Sequence, residues 1–157
     1  MSKSEVVSRE TTLHVRDACL CLHVQRAARA LARRFDTVFR PLGITNGQFS
    51  LMMSLNRPVA PGNGEVAALL AMDRTTLTAA LKPLERRGLV TVRPNPEDRR
   101  GRVLSLTAKG RKLLAQAVPI WTETHAAVEA EIAEFGPDRL RRSLQALSGL
   151  GGKAGPE

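Results

Sequence analysis

The chain has 157 residues, enough for one domain with a real core and too few for two independent ones. Twenty-four Lys and Arg against 15 Asp and Glu give a net charge of +9, which excludes an acidic solvating protein and points to a polyanionic partner, a merely solvated basic face being the plainer alternative. No segment approaches the roughly 18 apolar residues of a membrane span, the N-terminus lacks an unbroken apolar run of the secretory kind, and with no Tyr and one Trp there is little to stack on single-stranded bases. A cytoplasmic protein that prefers double-stranded DNA to RNA is expected.

In chain order, residues 13–40 read as one long helix. Leu20, Val24, Ala27, Ala28, Leu31, Phe35, Val38 and Phe39 recur at steps of three and four, the other face carries Arg26, Arg29, Arg33, Arg34 and Asp36, and Pro41 and Gly43 end it. Cys19 and Cys21 would lie about 200° apart on that helix, which argues against a disulfide between them. Thr45 caps a second helix with Phe49, Met52, Met53 and Leu55, and residues 57–64 form a turn-rich connector. A short helix from Gly64 buries Val66, Leu69 and Leu70.

Asp73 caps the next helix, which sets Leu77, Leu81 and Leu84 on one side and Thr75, Thr78 and Lys82 on the other. Gly88 closes it, and Pro83 predicts a kink or a tightened last turn. Strands at 89–93 and 102–106 flank a turn from Pro94 to Gly101 and make a hairpin. Thr107 caps a long helix with Leu113, Leu114, Ala117, Val118, Trp121, Val128 and Ile132 in its stripe, bent at Pro119. After Gly136-Pro137 a last helix carries Leu140, Leu144 and Leu147, and a frayed tail follows. More amphipathic helix surrounds the central module than one chain can cover, which predicts a two-fold homodimer.

Charge is concentrated where the hairpin lies. Residues 74–112 hold eleven Lys and Arg against three acids, a local balance of +8. A reading helix needs short or flexible polar side chains opposite an anchored face, and Arg74, Thr75, Thr76, Thr78 and Lys82 meet that demand: Arg forks onto guanine, Thr offers a hydroxyl or methyl, Lys takes guanine or phosphate. At the turn, Asp98, Arg99, Arg100 and Arg102 crowd guanidinium groups onto a tip suited to a narrow, electronegative minor groove. Asp98 either pairs with Arg100 or Arg102 or stands in a solvated turn.

The run DRTTLTAALKPLERRGLV followed by DRRGRVLSLTAKG resembles the MarR family of bacterial transcription regulators, and the first long helix, LGITNGQFSLM and the two C-terminal helices match its order of elements over nearly the whole chain. The resemblance implies a single domain over 1–157, mainly α with a small β-hairpin wing (α+β). Within it, a winged helix-turn-helix module at 45–106 lies between dimerisation helices at 13–42 and 107–150. It also implies a dimer on pseudo-palindromic operators, usually a repressor, that releases DNA when a small aromatic or phenolic ligand binds or a cysteine is oxidised. By position, Thr75, Thr76, Thr78 and Lys82 fall in the recognition helix and Arg99 and Arg100 in the wing. Pro83 departs from the commonest pattern.

Two kinds of sensor follow from that resemblance. Cys21, with Cys19 beside it, sits where peroxide-sensing members carry a reactive thiol, but those members bind the thiolate with tyrosines and this chain has none; inert half-buried cysteines are the alternative. A pocket between the first two helices and the Trp121 helix would be lined by His23, Met52, Trp121 and His125, unless these are plain core. His14, His23 and His125 lie far apart without partners at metal or triad spacing, and no phosphate-cradling glycine loop is present, so neither an enzyme nor a metal or cofactor is expected. A nucleoid-like architectural DNA-binding protein is the rival to a regulator.

Overall fold

A computed structural model describes residues 6–149. Two helices stand where one was expected: α1 (Arg9–Ala18) and α2 (Leu20–Phe39). Ser8 starts α1 earlier than the apolar periodicity indicates, its side chain accepting from the Thr11 N–H. Cys19 is extended (φ −72°, ψ 104°) and serves both helices. Its N–H closes onto the Val15 carbonyl at 3.0 Å, and its Sγ accepts from the Leu22 N–H at 3.4 Å. Ala18, Cys19 and Leu20 are all compatible with a continuous helix, so no propensity signal marks the break.

Thr45 forms a full capping box with Gln48 and starts α3 (Asn46–Ser54). The following helix, α4 (Asn63–Leu69), begins one residue before the expected Gly64, with Gly62 as its N-cap. Helix α5 (Arg74–Arg86) runs through Pro83 and ends at Gly88, whose φ of 67° suits a residue without Cβ. The hairpin pairs β1 (Val90–Pro94) with β2 (Arg102–Leu106) in antiparallel register from Val90–Leu106 to Pro94–Arg102. The first strand is one residue later than expected because the Leu89 N–H is spent on the Leu84 carbonyl at 2.9 Å and its carbonyl on the Thr107 N–H. Helix α6 (Ala108–Glu131) continues through Pro119, and α7 (Pro137–Leu147) completes the described fold. No helix among the described residues is long and apolar enough to cross a membrane. The tail from residue 150 lies outside the described residues.

The core lies between the C-terminal half of α2, α3, α4, α5, the hairpin and the start of α6. Phe39, Leu51, Met52, Leu77, Leu84, Leu89, Leu104 and Val66 are its largest fully buried side chains. An aromatic row crosses three helices: Phe39 stacks on Phe49 with centroids 4.8 Å apart, Phe49 faces Trp121 at 6.3 Å, and Trp121 stacks on His125 at 4.5 Å. Outside this core, Leu20, Leu31, Phe135, Leu140, Leu144 and Leu147 remain exposed on α2, α7 and the turn before α7.

One seam joins the hairpin to α6. Thr107 donates its N–H to the Leu89 carbonyl at 3.0 Å and its hydroxyl to the Gly88 carbonyl at 2.7 Å, while its Oγ1 accepts from the Gly110 N–H at 2.9 Å. A Cβ on Gly110 would lie 2.1 Å from the Leu89 carbonyl oxygen. That oxygen is held by Thr107 and has nowhere to go. Gly110→Ala is therefore expected to destabilise the fold by about 3 kcal/mol, the upper part of the range for overpacking a core; an unfolding midpoint equal to wild type in a denaturant titration would refute the close approach.

Candidate nucleic-acid interface

Helix α5 is held by its apolar side, Leu77, Leu81 and Leu84 being 1%, 4% and 0% exposed. With that side fixed, Arg74, Thr75, Thr78 and Lys82 must emerge together, and with Ala79 they line one shallow surface concavity. The structure thus brings four of the five expected reading residues onto one face. The fifth, Thr76, serves the helix start: its N–H and hydroxyl both donate to the Asp73 carboxylate, at 2.7 and 2.8 Å. The Thr78 hydroxyl donates to the Arg74 carbonyl at 2.8 Å, leaving it lone pairs and a methyl to offer outward.

The hairpin tip is a built turn. Asn95 donates its N–H to the Gly101 carbonyl at 3.1 Å and its Oδ1 accepts from the Glu97 N–H at 3.0 Å. Asp98 pairs with neither Arg100 nor Arg102 through their guanidinium groups, contrary to one of the two sequence readings. Its Oδ1 accepts the Arg100 backbone N–H at 3.0 Å, an Asx turn. The carboxylate therefore shapes the tip, and among the described residues the Arg99 and Arg100 side chains have no hydrogen-bond or ion-pair partner. Arg102 turns one guanidinium N–H to the Gly101 carbonyl at 3.0 Å.

The connector at 57–64, read from sequence as loop, contributes to this hairpin. The Leu104 N–H donates to the Pro61 carbonyl at 3.0 Å, the Arg102 N–H donates to Asn63 Oδ1 at 3.3 Å, and Gly62 bridges Val103. A pairing of one residue leaves no alternation to detect.

Part of the basic cluster has structural work. Arg87 donates to the carbonyls of Gly43 and Leu42, at 2.6 and 3.4 Å, Lys109 Nζ to the Arg87 carbonyl at 2.8 Å, and Arg111 to the Leu106 carbonyl at 2.8 Å. These cations cap exposed carbonyls. Counting charge along the sequence did not separate them from the free ones.

Of the four expected pocket residues the structure brings Trp121 and His125 together, and it does not join Met52 and His23 to them in one cavity. Met52 is completely buried in the core, and His23 lies with Arg26, Arg29 and Arg33 along α2 and does not line the Trp121 cleft. Trp121 instead forms a wall of a cleft of about 460 Å³ between α3, the end of α4 and α6, with Phe49, Ser50, Met53, Leu69 and Val118. His125 stacks behind Trp121, 3.9 Å from Glu129, which also pairs with Arg141 of α7. Met53, one residue from the expected Met52, is the cleft methionine; helical phase decides which of two neighbours faces in. Cys21 is exposed and its Sγ accepts from Gln25 Nε2 at 3.1 Å, while Cys19 is half-buried. Among the described residues no three His, Cys, Asp or Glu side chains gather as a metal site.

Hydrogen bonds from Thr76, the backbone N–H foremost and the hydroxyl next, hold the Asp73 carboxyl below the ordinary aspartate range. A lowered folded pKa stabilises the fold above the unfolded value of about 3.9 and is lost as pH falls through the folded one. Asp73→Ala is expected to lower the melting temperature at pH 7, with the gap from wild type closing below about pH 4. An equal gap at pH 7 and pH 3 would count against the cap.

With this geometry established, comparison with known proteins is specific. The MarR family model matches residues 44–101, the span from the start of α3 to the hairpin tip. The organic hydroperoxide resistance transcriptional regulator of Bacillus subtilis is 30% identical over 101 residues, covering 64% of this chain and 69% of that protein. The transcriptional activatory protein BadR of Rhodopseudomonas palustris is 39% identical over 80 residues, and the chain spans about half of its length, 46%. The M. tuberculosis transcriptional regulator MosR, solved in complex with DNA, superposes with a TM-score of 0.75 at 39% identity, covering 83% of this chain and 93% of that one. Identity of this order over so much of MosR, with the outward polar face of α5 and the hairpin in place, shows that the chain belongs to the MarR family.

Proposed function

We propose that this protein is a homodimeric transcription regulator that binds pseudo-palindromic double-stranded DNA. The observation that carries this is the face of α5: Arg74, Thr75, Thr78 and Lys82 point outward together from a helix pinned by three buried leucines, and the hairpin that follows ends in two arginines whose side chains have no partner among the described residues. Helix α5 enters the major groove, where Thr78 presents acceptors and a methyl and Arg74 and Lys82 present donors to base edges. The hairpin is the wing, and Arg99 and Arg100 take phosphates or the minor groove. The second copy covers the exposed leucines of α2 and α7, which places two reading helices on two half-sites.

Repression relieved by a signal is the regulatory reading, since a ligand that prefers the DNA-incompetent dimer changes the separation of the reading helices. The cleft at Trp121 is the place for a small aromatic effector, being apolar with Ser50 and Ser54 at its wall. Oxidation at Cys21 is the rival signal, supported by its exposure and by the similarity to the hydroperoxide-resistance regulator.

In a footprint on operator-containing DNA, protection of one inverted repeat is expected; uniform coverage would favour the architectural alternative. Thr78→Ala and Lys82→Ala should cost about 1–3 kcal/mol for the cognate site alone, while Arg100→Ala weakens all sequences and lowers the salt slope by about 1. Equal losses on cognate and random duplex from all three would refute the division of labour. For the signal, an aromatic acid held at about 100 times its Kd should add roughly 2.7 kcal/mol of stability and release DNA, with peroxide leaving a Cys21→Ser variant bound. Absence of both effects would leave the cleft and the thiol without a sensing role.

A further inference from the structure

We infer that Asn63 is a positioning residue that sets the angle of the wing against the reading helix; this rests on the DNA-binding reading above. A two-stranded hairpin is marginal by itself and takes its direction from whatever else it is fastened to. Towards its base the hairpin is fixed, with Leu104 fully buried and its N–H bound to the Pro61 carbonyl at 3.0 Å. Two residues further out, the Arg102 N–H donates to Asn63 Oδ1 at 3.3 Å. Beyond that point every hydrogen bond of the tip, from Asn95 to Gly101, closes within the tip itself. Asn63 is therefore the last support before Arg99 and Arg100.

The same segment also meets the reading helix. Asn63 is the first residue of α4, and at its neighbour Gly64 the Arg74 guanidinium lies 3.5 Å from the position a Cβ would take. Gly62, Asn63 and Gly64 thus stand between the wing and the first residue of α5, so the distance between the two DNA-contacting elements is measured across them. When the side-chain acceptor at 63 is removed, the hairpin keeps the Leu104–Pro61 bond and the Gly62–Val103 bridge, and the tip beyond them is free to pivot while α5 keeps its place on its leucines.

The test uses the full chain as Asn63→Ala, with Asn63→Asp, which keeps an acceptor oxygen at the same place, as the control. In Asn63→Ala the Arg102 amide should exchange with solvent roughly five- to tenfold faster, the size of one lost hydrogen bond, with Leu77 and Leu81 amides unchanged; Asn63→Asp should restore protection. On cognate duplex, Asn63→Ala should lose the footprint flanking each half-site, keep the central protection, and show a salt slope lower by about 2, for two arginines leaving phosphates. Unchanged Arg102 exchange, or an unchanged flank and slope beside a wild type that shows both, would overturn the inference. A wild type that binds no duplex would overturn the DNA-binding reading and the inference with it.

Discussion

The carbonyl oxygen of Leu89 is the point on which the molecule turns. It ends the run from α5 through Gly88, begins the hairpin, and receives the N–H of Thr107, while Gly110 of α6 approaches where no side chain fits. Helix α5, the hairpin and the long helix α6 are thereby joined through backbone atoms, which have fewer ways to rearrange than side chains. Helix α6 and the module are therefore fastened at a seam with little freedom to slip.

The basic cluster divides by the same logic. Arg87, Lys109 and Arg111 use their donors on main-chain carbonyls close to this seam, so they hold the module together. Among the described residues, the side chains of Arg99 and Arg100 at the tip have no such engagement. Net charge sets the long-range attraction for a polyanion, but local partners decide which cations are free to meet it.

The aromatic row carries a second connection. Phe39 on α2, Phe49 on α3 and Trp121 on α6 lie in one stacked file, and Trp121 also walls the apolar cleft. The same ring is packed against His125, which is close to Glu129, which is paired with Arg141 on α7. Cleft and α7, where Leu140, Leu144 and Leu147 are exposed, share a continuous set of contacts.

The sequence by itself determined the order of the elements, the caps at Thr45, Asp73 and Thr107, the closing Gly88, and the polar face of α5. Each of these depends on residues within a turn or two of one another, where periodicity and capping chemistry act directly. It did not reveal the break at Cys19, because the surrounding residues suit a helix and only the capping geometry marks the interruption. Nor did it reveal the pairing of 61–63 with β2, the role of Asp98 as a turn former, the replacement of Met52 by Met53 in the cleft, or the exclusion of a side chain at Gly110. Those features arise where segments distant in the chain meet, and which atoms meet there is decided by packing. Tertiary structure therefore settled which polar groups are already satisfied and which are left to act, and that depends on three-dimensional neighbours rather than on residue type.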